Sequence, residues 1–148
     1  MRILTALLAG LLAFGAAVAE AQDGRYGQQK VAYHINLDGG AENAYYFASL
    51  RNVQNHINAV GGANIEVRVV MHGNGINLVK NAKDDTRLQS AIAALKGQKV
   101  DFVVCKNTLT DRKIEREALY DVDVEDIVPS GVAELSYLQM KGFTYIKP

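Results

Sequence analysis

Cys105 is the only cysteine in the chain, and it closes an apolar run, Val100-Asp101-Phe102-Val103-Val104-Cys105. Lys106-Asn107-Thr108-Leu109 follow and read as the opening of a helix. A thiol at that junction meets outward-pointing backbone N–H groups, and a neighbouring lysine adds to the positive potential. Both favour the thiolate, the nucleophilic form of sulfur. The chemistry this permits is attack on a sulfane sulfur, which the cysteine then holds as a persulfide for the next acceptor. Lys106 and the N–H groups of Asn107 and Thr108 are the expected stabilisers of its charge. The competing reading is a structural thiol packed as a small hydrophobe. A strand-end position of the kind that leaves low-pKa thiols partly exposed favours reactivity, whereas Asp111, in the first turn of the same helix, works against it.

The three histidines differ in promise. His72 follows the second β-rich run, so it reaches Cys105 if those two strands are neighbours, as a proton acceptor or as a metal ligand beside the thiol. His34 lies opposite Tyr33 on its strand and is expected to line the same edge. His56 stands beside Asn52 and Asn55, off its helix's apolar stripe, and reads as solvated. One cysteine and one histidine are too few for a structural zinc site, and no CxxC or HxxxH spacing occurs, so no metal is assigned. Gly73 belongs to the loop His72-Gly73-Asn74-Gly75, whose N–H groups suit an anion. That loop lacks the P-loop and GxGxxG patterns and reads better as a plain turn. Ser130 has no G-x-S-x-G context and reads as a helix cap. Asp121, Asp123, Glu125 and Asp126 lack the calcium-loop pattern and read as a solvated loop. No organic cofactor is called for.

The elements that carry these residues alternate between strands and helices. Lys30 to Ile35 predicts a first strand, and Asp38-Gly39-Gly40 a turn. From Glu42 to Val60, the residues Tyr46, Leu50, Val53, Ile57 and Val60 make one helical stripe that ends at Gly61-Gly62. Ile65 to Met71 is a second strand, whose Glu66/Arg68/Val70 face is wetter or meets another subunit. A short helical turn over Ile76 to Asn81 precedes a helix started by Asp84-Asp85 and striped by Leu88, Ile92 and Leu95. Val100 to Cys105 is the third strand. Thr108 to Leu119 reads as a weakly amphipathic helix, and Val124 to Val128 as a short fourth strand. Ser130 caps a last helix carrying Val132, Leu135 and Leu138, and Phe143 to Ile146 forms a final strand. Strands separated by helices imply right-handed crossovers and a mainly parallel sheet covered on both faces. Sites in such sheets lie beyond the carboxyl ends of the strands, where Cys105 and the His72 loop both fall.

The ends of the chain and its charge narrow the class. Arg2, the uncharged run Ile3 to Val18, and the small-x-small triplets at Ala17-Val18-Ala19 and Ala19-Glu20-Ala21 match a secretory signal over residues 1–21. Residues 22–29 form a polar leader, and residues 30–148 one domain. Export implies a periplasmic or secreted protein with no membrane attachment after cleavage. The chain's 16 basic and 16 acidic residues balance, and losing Arg2 and Glu20 keeps them so. Zero net charge leaves no electrostatic footprint for nucleic acid or an anionic membrane. Of the adjacent Tyr45 and Tyr46, only one can face the helix's core stripe. The other is either surface decoration or an interface anchor, and an interface is the reading preferred.

Six segments carry a resemblance to a known family. They are Tyr33-His34-Ile35-Asn36, Leu50-Arg51-Asn52-Val53-Gln54-Asn55-His56, Val70-Met71-His72-Gly73, Val104-Cys105-Lys106-Asn107-Thr108-Leu109, Asp126 to Leu135, and Gln139 to Pro148. Over nearly all of residues 30–148 the chain resembles the DsrE/DsrF-like family, and within it the exported single-domain members. The resemblance implies a three-layer α/β open sandwich with a five-stranded, mostly parallel sheet, and a homo-trimer or homo-hexamer. It implies that Cys105 takes the place of the cysteine that accepts and passes on a persulfide in sulfur-relay members. Partners would be sulfur donor and acceptor proteins or small sulfur compounds. Those relay members are cytoplasmic, so an exported relative must use others. The alternative is a non-enzymatic oligomeric module whose pocket of His34, His72 and Cys105 holds a small ligand or a soft metal such as copper(I).

Overall fold

A computed structural model describes residues 24–148. The expected signal segment, 1–21, lies outside the described residues, as do the first two residues of the leader. Five strands form one sheet: β1 (Gln29–Ile35), β2 (Ile65–Met71), β3 (Asp101–Cys105), β4 (Ile127–Val128) and β5 (Thr144–Ile146). Their order is β4-β3-β2-β1-β5, and every pairing is parallel. Parallel neighbours need crossovers, which five helices supply: α1 (Ala44–Val60), α2 (Asn77–Asn81), α3 (Thr86–Lys96), α4 (Lys106–Arg112) and α5 (Gly131–Met140).

The two faces of the sheet are covered unequally. Alternate residues of the strands, among them Val31, Tyr33, Ile35, Val67, Val69, Met71, Phe102 and Val104, pack with helical residues such as Leu50, Val53, Leu88 and Ile92 into the main core. The opposite face is smaller. Ala32, Val70 and Val103 meet Leu135 and Leu138 of α5 and Phe143. Burying apolar side chains at roughly 25 cal/mol per Å² makes the first core the main source of stability. The second core is thin, and its strand tips carry His34, His72 and Cys105.

Several boundaries differ from the sequence reading. The helix expected to run from Thr108 to Leu119 spans Lys106–Arg112, because Lys113 turns left-handed at φ 52° and caps it. Val124–Asp126 is a 3-10 turn closed by a capping box between Asp123 and Asp126, which leaves only two residues for β4. Regular α1 begins at Ala44, because Glu42 and Asn43 have positive φ. Gln29, assigned to the leader, already belongs to β1. On β2, Glu66 and Arg68 pair with Lys30 and Asp101 on the neighbouring strands, while Val70 is sealed under α5. That face is therefore a covered layer with an ion-paired end.

Tyr45 is half-buried against its own core beside Tyr46, with its hydroxyl donating to the Pro148 carbonyl at 3.5 Å. Three of the large exposed apolar residues, Val132, Tyr137 and Met140, lie on α5. Among the described residues, no helix is long and apolar enough to cross a membrane.

Candidate functional site

β2 and β3 are neighbours in register Val70↔Val103 and Met71↔Val104, so the next residues, His72 and Cys105, come side by side at the carboxyl edge. A hydrogen bond from the His72 N–H to the Ile35 carbonyl, 3.3 Å, extends the sheet to that point and brings β1 alongside. Gly75 makes the approach possible, since any Cβ there would lie 1.9 Å from the Ile35 carbonyl oxygen.

Cys105 caps α4 with extended backbone, φ −79° and ψ 115°. It is not partly exposed as expected. It is 4% exposed and has no disulfide partner. Burial is the largest influence on the thiol and acts to raise its pKa. The N–H groups of Gly131 and Thr108, the Thr108 hydroxyl and the Asn107 N–H outweigh it, and the net pKa falls below the ordinary thiol value. Thr108 is oriented for this. Its hydroxyl oxygen accepts from the Gly73 N–H at 3.0 Å, which leaves the hydroxyl proton for the sulfur. Asn107 and Thr108 thus sit where sequence placed them, at the start of α4.

Two features of the cradle went unread. Gly131, taken only as part of a helix opening, begins a second helix beside the thiol, and its N–H acts to lower the thiol's pKa. The two helix starts are joined by a bond from the Asn107 N–H to the Pro129 carbonyl, 3.3 Å. Gly131 also has to be small. A Cβ there would fall 3.1 Å from the His72 Cβ and 3.2 Å from the Cys105 Cβ. Lys106, by contrast, is exposed and is not among the groups that lower the thiol's pKa. Its side chain lines a groove with Leu109, Lys113, Arg116 and Ile127. Nothing in a run of local sequence tells which way a lysine following a strand will swing.

Beside the thiol the histidines form a chain. His34 Nε2 and His72 Nε2 are 2.7 Å apart, and His34 Nδ1 is 2.7 Å from the Tyr145 hydroxyl. The two rings are 24° from parallel with centroids 4.7 Å apart, so they meet edge to edge through their nitrogens. Burial, then His72, then Lys147 bring the His34 pKa down to about 4, and burial followed by Lys147 lowers that of His72. Both rings are neutral at physiological pH. Two nitrogens each about 2 Å from a shared ion would stand farther apart than 2.7 Å, so the pair as it stands is a hydrogen bond. Among the described residues no group of three or more His, Cys, Asp and Glu is placed to hold a metal. Tyr145 and Lys147 were missed because the last strand was read only for its hydrophobic pattern.

Other candidates have structural roles. His56 is not simply solvated. It is half-buried, with Nδ1 2.9 Å from the Tyr33 hydroxyl and Nε2 2.7 Å from Gln29 Oε1. The Gly73 loop has no free cradle, as its Gly73 and Gly75 N–H groups go to Thr108 and to the His72 carbonyl. Ser130 caps α5 by accepting from the Ala133 N–H at 3.3 Å. Asp121 and Asp126 take Lys96 as their cation.

The family model for the DsrE/DsrF-like family matches residues 29–148, the whole sheet and the site. The chain belongs to the DsrE/DsrF-like family. Among solved structures, this DsrE-like chain is similar to the protein of unknown function MTH1491 from Methanobacterium thermoautotrophicum, with 27% identity and a TM-score of 0.69 over 82% of this chain and 100% of that one. It also shares its fold with the ychN protein from E. coli, at 18% identity and a TM-score of 0.63 over the same shares. No curated relative matches the chain. The family is commonly linked to sulfur relay.

Proposed function

We propose that this DsrE-like protein is an exported sulfur-handling protein in which Cys105 accepts sulfane sulfur and passes it on as a persulfide. The observation that carries this reading is a buried thiol held at the start of α4, with Gly131 at the start of α5 close against it and against His72. The N–H groups and Thr108 hydroxyl of that setting lower its pKa against burial. A packed structural thiol has no use for several donors. A thiolate or a persulfide anion does, because each charge-assisted hydrogen bond replaces hydration lost on burial. His72, adjacent to Cys105, is the group placed to handle the accompanying proton. The secretory pattern of residues 1–21 supports action in the periplasm or outside the cell, with donors and acceptors available there. Exposed Val132, Tyr137 and Met140 on α5 support assembly into a homo-trimer or homo-hexamer.

Incubating the purified protein with thiosulfate, polysulfide or a low-molecular-weight persulfide tests the reading by intact mass. A gain of one sulfur atom that reductant removes and that Cys105→Ser abolishes is expected. No adduct with any donor, while the thiol still alkylates, would overturn it.

A further inference from the structure

The persulfide reading gives Cys105 a cradle but leaves Tyr145 without a role, although its hydroxyl is bound into the histidine pair. Tyr145, 43% exposed, is the solvent end of the chain of contacts; His34 is 8% exposed, His72 half-buried and Cys105 4% exposed. The hydrogen bonds run from the Tyr145 hydroxyl to His34 Nδ1 and from His34 Nε2 to His72 Nε2, each 2.7 Å. A neutral imidazole carries one N–H, so the two facing Nε2 atoms share one proton. If Tyr145 donates to His34 Nδ1, His34 must hold its proton on Nε2 and donate it to His72. His72 then carries its own proton on Nδ1, which has no hydrogen-bond partner among the described residues. Every link is thereby set by the tyrosine. Lys147 is the charged group acting on both rings. α5 and the start of α4 present only Gly131, Thr108 and Asn107 to the thiol, none of which titrates.

We propose that Tyr145, His34 and His72 form a relay that brings a proton from solvent to the leaving group of the sulfur donor, and that the donor is accordingly a persulfide or polysulfide that expels a thiolate. This rests on Cys105 being a persulfide carrier. In the step, the Cys105 thiolate attacks the terminal sulfur of R–S–SH and forms the new S–S bond. The old S–S bond breaks, and its electron pair leaves with R–S⁻. His72 gives its Nδ1 proton to R–S⁻, His34 passes its Nε2 proton to His72, Tyr145 passes its proton to His34, and water restores the tyrosine. The products are the Cys105 persulfide and R–SH, and no oxidant or reductant is consumed. A free thiol has a pKa of about 8.5, so such a leaving group gains from protonation at neutral pH. Thiosulfate expels sulfite and needs no proton.

Loading of Cys105 from glutathione persulfide and from thiosulfate is compared at pH 7 for wild type, Tyr145→Phe and His34→Gln. The expected result is that the persulfide reaction slows about tenfold more than the thiosulfate reaction in both variants. Ring nitrogen NMR of the wild type is expected to place the His34 proton on Nε2 and the His72 proton on Nδ1, with Tyr145→Phe mixing the two tautomers. Equal slowing for both donors, no slowing, or the reversed tautomers would overturn the relay and leave the persulfide reading standing. Failure of the wild type to take sulfur from either donor would remove both.

Discussion

At the scale of single residues, the protein sets two opposing influences against each other at one atom. Burial alone would make Cys105 an inert thiol of raised pKa. Donors from two helix starts reverse the sign. The alkylation rate of Cys105 against pH is therefore expected to have its midpoint below that of free cysteine. Its plateau is expected to be lower, because the residue is 4% exposed. Thr108→Val removes the hydroxyl donor and is expected to move that midpoint upward, cutting the rate at neutral pH several-fold. It also strands the Gly73 N–H, a loss of roughly 1–3 kcal/mol in urea unfolding. Gly131→Ala makes a complementary test. Its Cβ must displace the His72 and Cys105 side chains, and overpacking of this kind costs roughly 1–3 kcal/mol. The same change is expected to disturb alkylation, whereas a glycine needed only for packing elsewhere would leave the thiol untouched.

At the scale of elements, α5 matters twice: it covers the thin second core, and the N–H of its first residue acts to lower the thiol's pKa. Its cap links the two. Ser130→Ala is expected to cost about 1 kcal/mol of stability and, by loosening the first turn, to raise the alkylation midpoint of Cys105. Denaturation and alkylation on the same sample check both. The strands and the stripes of α1 and α3 were legible in sequence because a side-chain period of two or of 3.6 is written into the order of residues. The end of α4 was not legible. Nothing from Lys113 to Leu119 breaks a helix by composition, and the left-handed turn at Lys113 arises where the chain leaves the sheet. The shortness of β4 has a similar cause, since the capping box between Asp123 and Asp126 fixes a turn where apolar residues suggested strand.

At the scale of the molecule, stability and assembly carry the remaining expectations. His34 is held neutral in the fold, with a pKa of about 4 against 6.5 when unfolded. Above 6.5 both states are neutral and nothing is lost. As pH falls from 6.5 toward 4, the unfolded chain takes up a proton that the folded site refuses. Stability therefore declines through that window and levels off below it. The loss from His34 is bounded at about 3 kcal/mol, with His72 acting in the same direction. Urea midpoints at pH 7, 5 and 4 measure it, and His34→Gln is expected to flatten the decline. Assembly is expected to use the outer side of α5. Met140→Glu, at a position 81% exposed, should lower the mass seen by light scattering without lowering the unfolding midpoint of the isolated chain.

Sequence by itself determined the class of fold, the parallel pairing implied by alternating elements, and the sulfur at the end of β3. Those follow from periodicity and from the scarcity of one residue type, both of which are local. Only the tertiary structure decided which groups surround that sulfur. Gly131 is far from Cys105 along the chain, and Tyr145 is farther still from His34. Their meeting depends on the sheet order and on the path of α5, neither of which any single segment encodes. The same holds for the swing of Lys106 away from the thiol. A site at the carboxyl edge of a parallel sheet is assembled from the ends of many strands, so its membership is a property of the packing.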